Sequence, residues 1–310
     1  MAIKKIIIDT DPGIDDAMAI FLALRSPEIE VVGLTTIFGN VNCQLATVNA
    51  LRLLETAGHS RIPVAKGCDS PLFISAPEHA TRVHGEDGMG NANFALPKGS
   101  AIEMSAAEFI VKTILAHPGE ITLVPIGPLT NIALALKLEP KIINLVKEVV
   151  IMGGAATVAG NITPVAEANI WQDPHAAAIV FNAGLPLTMI GLDVTSTVLL
   201  TEDYLVDLYS ANNPETELLR KIIPHYQQFY LKMYGSKDFH THDPSTIAYL
   251  INPNLFTTQL IPIFVETDGR CIGQTIPDFR HQWGQQCLTK VCLGVEGAGV
   301  LKLIKSRLMA

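Results

Sequence analysis

The chain has 310 residues, of which 48% are hydrophobic and 17% charged, and its formal net charge is −8 at pH 7. This composition is typical of a globular protein with a large buried core. The acidic balance and the lack of a Lys/Arg cluster argue against nucleic acid or an anionic membrane surface as a partner. No apolar stretch approaches the roughly 18 residues that a membrane span requires.

The cysteines indicate a reducing compartment. Their number is odd and none of them forms a CxxC pair, which favours free thiols. The apolar run near the N-terminus is a strand of three isoleucines and is too short for a secretory signal. The sequence therefore predicts a cytoplasmic protein. The cysteines are Cys43, Cys68, Cys271, Cys287 and Cys292.

Short apolar runs alternate with helical patterns through the first two-thirds of the chain. Strands are predicted over residues 6–8, 30–36, 62–65, 121–126, 148–152 and 187–190. Helices are predicted over residues 16–24, 46–57, 130–138 and 174–183, and from the capping box Ser105-x-x-Glu108 to about residue 117. Such alternation indicates βαβ units, and hence an α/β fold with a mainly parallel central sheet flanked by helices.

The rest of the chain is less regular. Residues 67–99 form a long polar stretch with Gly and Pro, and a loop of that length is usually functional or mobile. Residues 201–234 are predicted to be helical, 261–267 and 288–293 to be strands, and 300–308 to be a helix. Because no repeat or low-complexity linker is present, residues 1–310 are expected to form one domain.

The first predicted strand runs into Asp9, Asp11, Asp15 and Asp16, four carboxylates within eight residues. Like charges a few ångströms apart raise one another's pKa unless a cation compensates them. A hard cation with oxygen ligands, Ca²⁺ or Mg²⁺, resolves the conflict. The alternative, acids that favour a helix N-terminus, explains only the last two aspartates.

Polar residues also follow the other predicted strands, where ligands bind in parallel sheets. Asn40 follows the second strand, and by itself it would also suit a turn. Thr130 and Asn131 are interpreted as caps of the following helix, and so is Asp173. Gly153-Gly154 after the fifth strand would let the backbone approach a ligand closely.

Near the end of the helical region, His242-Asp243-Pro244 places a histidine beside an acid at a helix start. Asp243 alone would suit an N-cap, although the earlier aspartates favour a role in the site. The sequence has no zinc motif, no GxSxG elbow and no P-loop. The candidate ligands are mostly carboxylate and amide oxygens, which disfavours a soft metal.

These motifs together resemble the inosine-uridine preferring nucleoside hydrolase family, whose N-terminal signature is DxDPGxDD. The likeness covers nearly the whole chain, and its motifs come in the family order. A DxDPGxDD octet with a distal HDP is a specific combination. The matching segments begin at Asp9, Thr35, Val83, Gly127, Ile151, Pro164 and His242.

The resemblance implies a Rossmann-like fold, usually assembled as a homodimer or homotetramer, and a bound Ca²⁺. Asp11, Asp16, Asp243 and the main-chain carbonyl of Ile126 would hold the ion. The family often has Thr where Ile126 stands, but a carbonyl ligand does not depend on the side chain.

The resemblance also implies a substrate site for a ribonucleoside. The ribose hydroxyls would be bound by Asp15, Asn40, Glu167 and Asn169, with Asn161 near the 5′-hydroxyl. His84 and His242 would face the nucleobase.

The implied reaction is hydrolysis of the N-glycosidic bond of a purine or pyrimidine ribonucleoside, such as inosine or uridine. Asp11 would take a proton from a Ca²⁺-activated water, and the ribosyl group would pass through an oxocarbenium-like state. His242 would protonate the leaving base, because an unperturbed histidine pKa lies near neutrality. Asp9 would only support Asp11.

Three other functions remain open from the sequence. An aspartate-based phosphatase also places DxD after a strand, although Pro12-Gly13 and the distal HDP do not fit it. A non-catalytic Ca²⁺-dependent nucleoside or sugar sensor, or a phosphorolytic enzyme, could use the same pocket. The preferred base is not indicated; its contacts are expected from residues 67–99 and 226–240. Tyr226, Tyr230, Tyr234 and Phe239 are candidates to stack on it, although packing is commoner for aromatic residues at helical spacing.

Overall fold

The structure is a computed structural model that describes residues 3–284 and 287–310. Its strands correspond closely to the apolar runs of the sequence. In chain order, β1 to β11 are Lys4–Thr10, Ile29–Thr36, Val64–Lys66, Ile121–Pro125, Glu148–Met152, Leu187–Ile190, Leu199–Leu200, Phe239–His240, Phe256–Val265, Thr275–Pro277 and Leu288–Val295.

The helices alternate with the strands as the sequence predicts. In chain order, α1 to α12 are Ile14–Leu24, Cys43–Thr56, Thr81–His84, Ala106–Ala116, Thr130–Leu138, Ala168–Gln172, Pro174–Phe181, Leu192–Thr195, Glu202–Tyr209, Pro214–Tyr234, His242–Ile251 and Gly297–Leu308. Three short 3₁₀ turns complete the described structure, at Pro140–Asn144, Pro253–Leu255 and Gly269–Cys271.

Nine of the strands form one sheet in the order β10-β9-β11-β6-β5-β4-β1-β2-β3. The pairs from β3 across to β11 are parallel, and β9 and β10 add antiparallel strands at one edge. The run 3-2-1-4-5-6 within this sheet is the Rossmann order, whose ligand crevice lies where the chain reverses direction beside β1. The predicted fold class is therefore confirmed.

Both faces of the sheet are covered. Ile6 and Ile8 point into a core shared with α1, α10 and α11, whereas Ile7 points into a second core with α4 and α5. Alternate residues of a strand face opposite sides of a sheet, so a run without polar residues requires burial on both. Helix α1 is apolar nearly all round because it lies between the sheet and other helices, and Ala17 to Ala23 are all buried.

Several local predictions are confirmed. Helix α4 begins with the reciprocal Ser105–Glu108 capping box, and β5, β6 and α5 have the predicted bounds. All five cysteines are free. Within residues 3–284 and 287–310, no helix combines the length and apolar character that crossing a bilayer demands.

Candidate active site

A cavity of about 750 Å³ lies at the carboxyl ends of the strands. It is the place that the strand order predicts for a ligand. The cavity wall contains all six side chains that the sequence assigns to the substrate, and also His242, Asp243 and Ile126. The six are Asp15, Asn40, His84, Asn161, Glu167 and Asn169.

Three buried carboxylates meet at the floor of this cavity. Asp15, Asp16 and Asp243 each offer an oxygen, and these oxygens lie within 4.8 Å of one another. Asp16 is held in place because Thr10 donates to its Oδ1 at 2.5 Å and the Gly13 amide donates to its Oδ2 at 2.9 Å. Two predicted metal ligands, Asp16 and Asp243, belong to this group. Its third member is Asp15, which the resemblance assigns to the ribose.

Asp11 lies beside this group, beneath the cavity wall. Its Oδ2 accepts the backbone N–H of Asn40 at 2.6 Å, while the Asn40 side chain donates to Asp16 at 3.0 Å. The carboxylate of Asp11 is also confined by two glycines. A Cβ atom at Gly39 would lie 2.0 Å from Oδ2, and one at Gly127 would lie 2.6 Å from Oδ1. Neither position can carry a side chain without moving Asp11.

Burial and mutual repulsion raise the pKa values of these acids. The pKa of Asp11 is raised well above its usual value by burial and then by the charge of Asp16. Burial raises the pKa of Asp15 and that of Asp16 to about 6. Asp243 is raised well above its usual pKa by burial and by the charges of the other acids. The ionised forms of these acids are therefore disfavoured unless a cation compensates their charge.

The residues fit a divalent, oxygen-seeking cation. The Oδ1 atoms of Asp11 and Asp15 are buried and accept no hydrogen bond. A buried carboxylate oxygen without a donor is costly, and a cation beside it removes the cost. The donors are carboxylates and a carbonyl, as Ca²⁺ and Mg²⁺ prefer. The aspartate cluster can thus hold a metal ion.

Glu167 and Asn169 are fixed at the start of α6. Glu167 is buried, its carboxylate accepts the amides of Gly154 and Ile170, and burial raises its pKa to about 6. Asn169 donates to the carbonyl of Ile126 at 3.1 Å and so reaches the predicted main-chain ligand. A Cβ atom at Gly153 would lie 3.3 Å from Glu167 Oε2, and the close approach of this backbone to a ligand stays a prediction.

Asn161 lies at the exposed rim, and its Oδ1 accepts the amide of Ala168 at 3.0 Å. The two histidines lie deeper. His84 is buried and stacks on Tyr226 with ring centroids 5.5 Å apart. His242 contacts Thr195 Oγ1 through Nδ1 at 2.9 Å and the hydroxyl of Tyr230 through Nε2 at 3.5 Å.

The histidine pKa values differ from the near-neutral values expected of free side chains. Burial lowers the pKa of His84 to about 4. Burial, with the neighbouring rings of His240 and His84, lowers the pKa of His242 to about 3. In the empty site these pKa values favour the neutral form of both rings, and the role of His242 as the acid stays a prediction.

The interpretation of two residues as helix caps was wrong. Leu129 occupies the N-cap of α5, and the next two side chains make long-range bonds instead. Thr130 donates to Asp173 at 2.7 Å, and Asn131 donates to Asp9 at 2.8 Å. Asp173 is the N-cap of α7, as predicted, and accepts the amide of Ala176. Asp243 lies within the first turn of α11, after the N-cap residue Thr241.

The cavity wall includes residues that no sequence pattern distinguished. These are Glu78, His79, Arg82, Trp171, Phe229 and His240. Several come from the two regions expected to approach the base, residues 67–99 and 226–240. Of the four aromatic candidates, Tyr226, Tyr230 and Phe239 are buried and pack on one another. Tyr234 is 62% exposed at the rim.

A Rossmann-order sheet with an acidic cavity at its reversal point is typical of an α/β enzyme that binds a small polar molecule. The model of the inosine-uridine preferring nucleoside hydrolase family matches residues 6–302. The chain belongs to this family. The predicted enzyme class, an N-glycosyl hydrolase of ribonucleosides, is confirmed.

Similar proteins share both sequence and fold over nearly their whole length. Probable uridine nucleosidase 2 of Arabidopsis thaliana is 46% identical over 99% of this chain and 98% of its own. The inosine-uridine preferring nucleoside hydrolase of Leishmania major is 41% identical over 94% and 93%. The solved plant nucleoside hydrolase PpNRh1 is 40% identical, with a TM-score of 0.96 over 99% of both chains.

Proposed function

We propose that this chain hydrolyses uridine, inosine and related ribonucleosides to the free base and ribose by direct attack of water. The observation that carries the proposal is the mixed lining of the cavity. Carboxylates and amides line it together with tyrosines, Phe229 and histidines. The polar groups suit the hydroxyls of a sugar, and the aromatic groups suit a base.

The ribose is proposed to be positioned partly by an acceptor atom that receives no hydrogen bond from the described residues. Asp15 Oδ1 is buried and accepts no hydrogen bond, so a sugar hydroxyl that donates to it satisfies both groups. Asn40 and Asn169 are fixed by their own bonds to Asp16 and to the Ile126 carbonyl. A rigid set of partners holds the anomeric carbon in one place, which lowers the entropic part of the barrier.

Asp11 is the proposed general base. The Asn40 amide occupies its Oδ2, so its partnerless Oδ1 is the oxygen that accepts a proton from water. Asp11, Asp16, Asp243 and the Ile126 carbonyl are proposed to hold Ca²⁺. When bound there, the ion supplies positive charge that acidifies water and aligns hydroxyl groups. The remaining carboxylates favour the cationic character that develops on the ribosyl ring.

His242 is the proposed proton donor to the leaving base. It lies on the cavity wall next to Asp243, and the Thr195 hydroxyl at its Nδ1 fixes the ring. Because burial lowers the pKa of the ring in the empty site to about 3, the proposal requires this pKa to rise as negative charge develops on the leaving base beside it. Protonation of the base is required because the anion of an ordinary nucleobase is a poor leaving group.

A reducing-sugar assay with uridine, inosine, cytidine and adenosine tests the proposal. We expect ribose and free base in equal amounts, at a rate independent of phosphate. Rates that require phosphate would indicate phosphorolysis, and nucleoside binding without ribose release would indicate a sensor. Phosphate release from phosphomonoesters would indicate the phosphatase chemistry.

The role of His242 predicts a loss that depends on the leaving group. In His242→Ala, kcat for uridine should fall by about 10²–10³-fold, since general acid catalysis contributes an effect of that order. Hydrolysis of p-nitrophenyl riboside should be nearly unchanged, because its leaving group departs as a stable anion. The same measurements on His84→Ala and on the double variant show whether His84 shares the role. Equal losses on both substrates, with metal still bound, would remove His242 as the acid.

Metal depletion should lower kcat by about 10³-fold, because electrostatic stabilisation by a bound cation contributes several kcal/mol. Ca²⁺ should restore the rate better than Zn²⁺, since the donors are all oxygens. The assay is run after prolonged dialysis against EDTA, with metal analysis of the same sample. Full activity in protein shown to be free of metal would refute the assignment.

We also propose that residues 1–310 form one domain, that the protein acts in nucleoside salvage in the cytoplasm, and that it assembles as a homodimer or homotetramer. The single nine-stranded sheet supports one domain, and five free thiols suit a reducing compartment. Light scattering of the purified protein measures the assembly.

A further inference from the structure

Helix α1 begins in an unusual way for a helix that carries two site aspartates. Its N-cap is Gly13, which has no side chain to accept a hydrogen bond from the first turn. The first amides of a helix have no partner inside it and need an acceptor from elsewhere. For the amide of Ile14 the acceptor is Nδ1 of His84, at 3.1 Å and buried.

This bond determines where the proton of His84 is. A backbone N–H only donates, so Nδ1 must be the acceptor, and the hydrogen of the neutral ring lies on Nε2. Asp15 Oδ1 is 3.9 Å from the same Nδ1. An ion pair between them would require a proton on Nδ1, which the Ile14 amide excludes. His84 therefore presents an Nε2–H donor from the cavity wall.

The contact between the Ile14 amide and His84 depends on close packing of the loop that precedes α1 against the loop that follows His84. A Cβ atom at Gly13 would lie 2.6 Å from His84 Nδ1. The two loops are joined by Asn49, a fully buried residue of α2, whose Nδ2 donates to the carbonyl of Pro12 at 3.1 Å and to that of Asp87 at 2.9 Å. Its Oδ1 accepts from Arg52 at 2.6 Å. One side-chain amide thus holds the aspartate loop against the loop that follows His84.

We propose that Asn49 is a positioning residue that keeps the Ile14 amide on His84 and thereby fixes His84 as an Nε2–H donor toward an acceptor atom of the nucleobase. The second part of this inference rests on the proposed function. A carbonyl oxygen or an unprotonated ring nitrogen of the base is the matching group. Asn49 acts through His84 and does not line the cavity.

The test uses Asn49→Asp with Asn213→Asp as its matched control. Asn49→Asp keeps the acceptor for Arg52 and replaces the donor to both carbonyls by an oxygen. Asn213 is also an amide that accepts locally, from Thr216, and donates to a distant carbonyl, that of Leu308. It lies at the N-cap of α10, outside the cavity wall.

The primary readout is ¹⁵N NMR of histidine-labelled protein, with the His84 signals assigned by their loss in His84→Gln. The wild type and Asn213→Asp should show the Nε2–H tautomer, and Asn49→Asp should show a mixture or the Nδ1–H form. A wild-type protein with a proton on Nδ1 would overturn the proposal. So would a folded Asn49→Asp protein with unchanged His84 signals. If Asn49→Asp does not fold, Gly13→Ala displaces the same contact and takes its place.

Kinetics test the functional part. Loss of one fixed donor should lower kcat/KM for uridine by about tenfold in Asn49→Asp and leave Asn213→Asp within about twofold of the wild type. An altered tautomer with unchanged kcat/KM would refute the role toward the base. An inactive wild type would refute the proposed function alone, because the tautomer measurement needs no turnover.

Discussion

Asp11→Asn should lower kcat by at least about 10⁴-fold. The substitution removes the proposed general base, which contributes about 10²–10⁴-fold, and it weakens the proposed cation site, which contributes several kcal/mol more. The amide has nearly the shape of the carboxylate, so the narrow space between Gly39 and Gly127 is respected. The loss is measured with uridine at saturating Ca²⁺.

Asp9→Asn is the matched control, two residues earlier and within β1, which ends just before Asp11. Asp9 is buried and, like Asp11, is not part of the cavity wall, but its Oδ1 accepts from Thr35 at 2.5 Å and from Asn131 at 2.8 Å. Because Asp9 is neither a proposed metal ligand nor the proposed base, a neutral amide is a modest change there. We expect a loss of about tenfold, typical of a group that supports a ligand. Similar losses in both variants would contradict the division of roles.

Ribonucleosides should be hydrolysed about 10⁴-fold faster, in kcat/KM, than their 2′-deoxy counterparts. A site built to bond a hydroxyl strongly rejects the analogue without it, because its buried polar groups are then left unpaired. The unpaired group here is Asp15 Oδ1, which receives no hydrogen bond from the residues that the structure describes. Uridine and deoxyuridine are compared at equal enzyme and Ca²⁺ concentrations.

Asp15→Asn shows whether this carboxylate is the cause. In this variant kcat/KM for uridine should fall, whereas kcat/KM for deoxyuridine should change less. The ratio of the two values should therefore decrease, because only the ribonucleoside has the 2′-hydroxyl that bonds to Asp15. Equal turnover of uridine and deoxyuridine by the wild type would overturn the ribose-binding scheme. An undiminished difference in Asp15→Asn would assign the discrimination to another group.

The fold was predictable from the sequence where a strand is a continuous run of apolar residues. Glu148–Met152 and Leu187–Ile190 have the predicted bounds, because strands buried on both faces form nearly continuous apolar runs. The two-residue pair Leu199–Leu200 and Phe239–His240 was not predicted, nor was the five-residue helix Ala168–Gln172. Elements this short contain less than two periods of any pattern, and tertiary contacts determine them.

The site was predictable from the sequence where it contains residues, such as clustered aspartates, that destabilise a fold unless a ligand or cation compensates them. Clustered aspartates demand an explanation from sequence alone, whereas an amide at a helix start does not. Asn131 looks like a cap in the sequence, and only the fold shows that Asp9, far away along the chain, is its partner. Arg82, Trp171 and Phe229 reach the cavity from separate elements, and no local pattern encodes that convergence.

The proposed cation site joins residues that lie far apart along the chain. Asp16 and Asp243 meet although more than two hundred residues separate them, and the interior strand β11 follows both of them in the sequence. Ribosomes add about 5–20 residues per second, so Asp16 waits for tens of seconds before Asp243 exists. During that time no nascent chain can complete the group of three carboxylates. Metal loading of the proposed site is therefore expected to follow translation of helix α11.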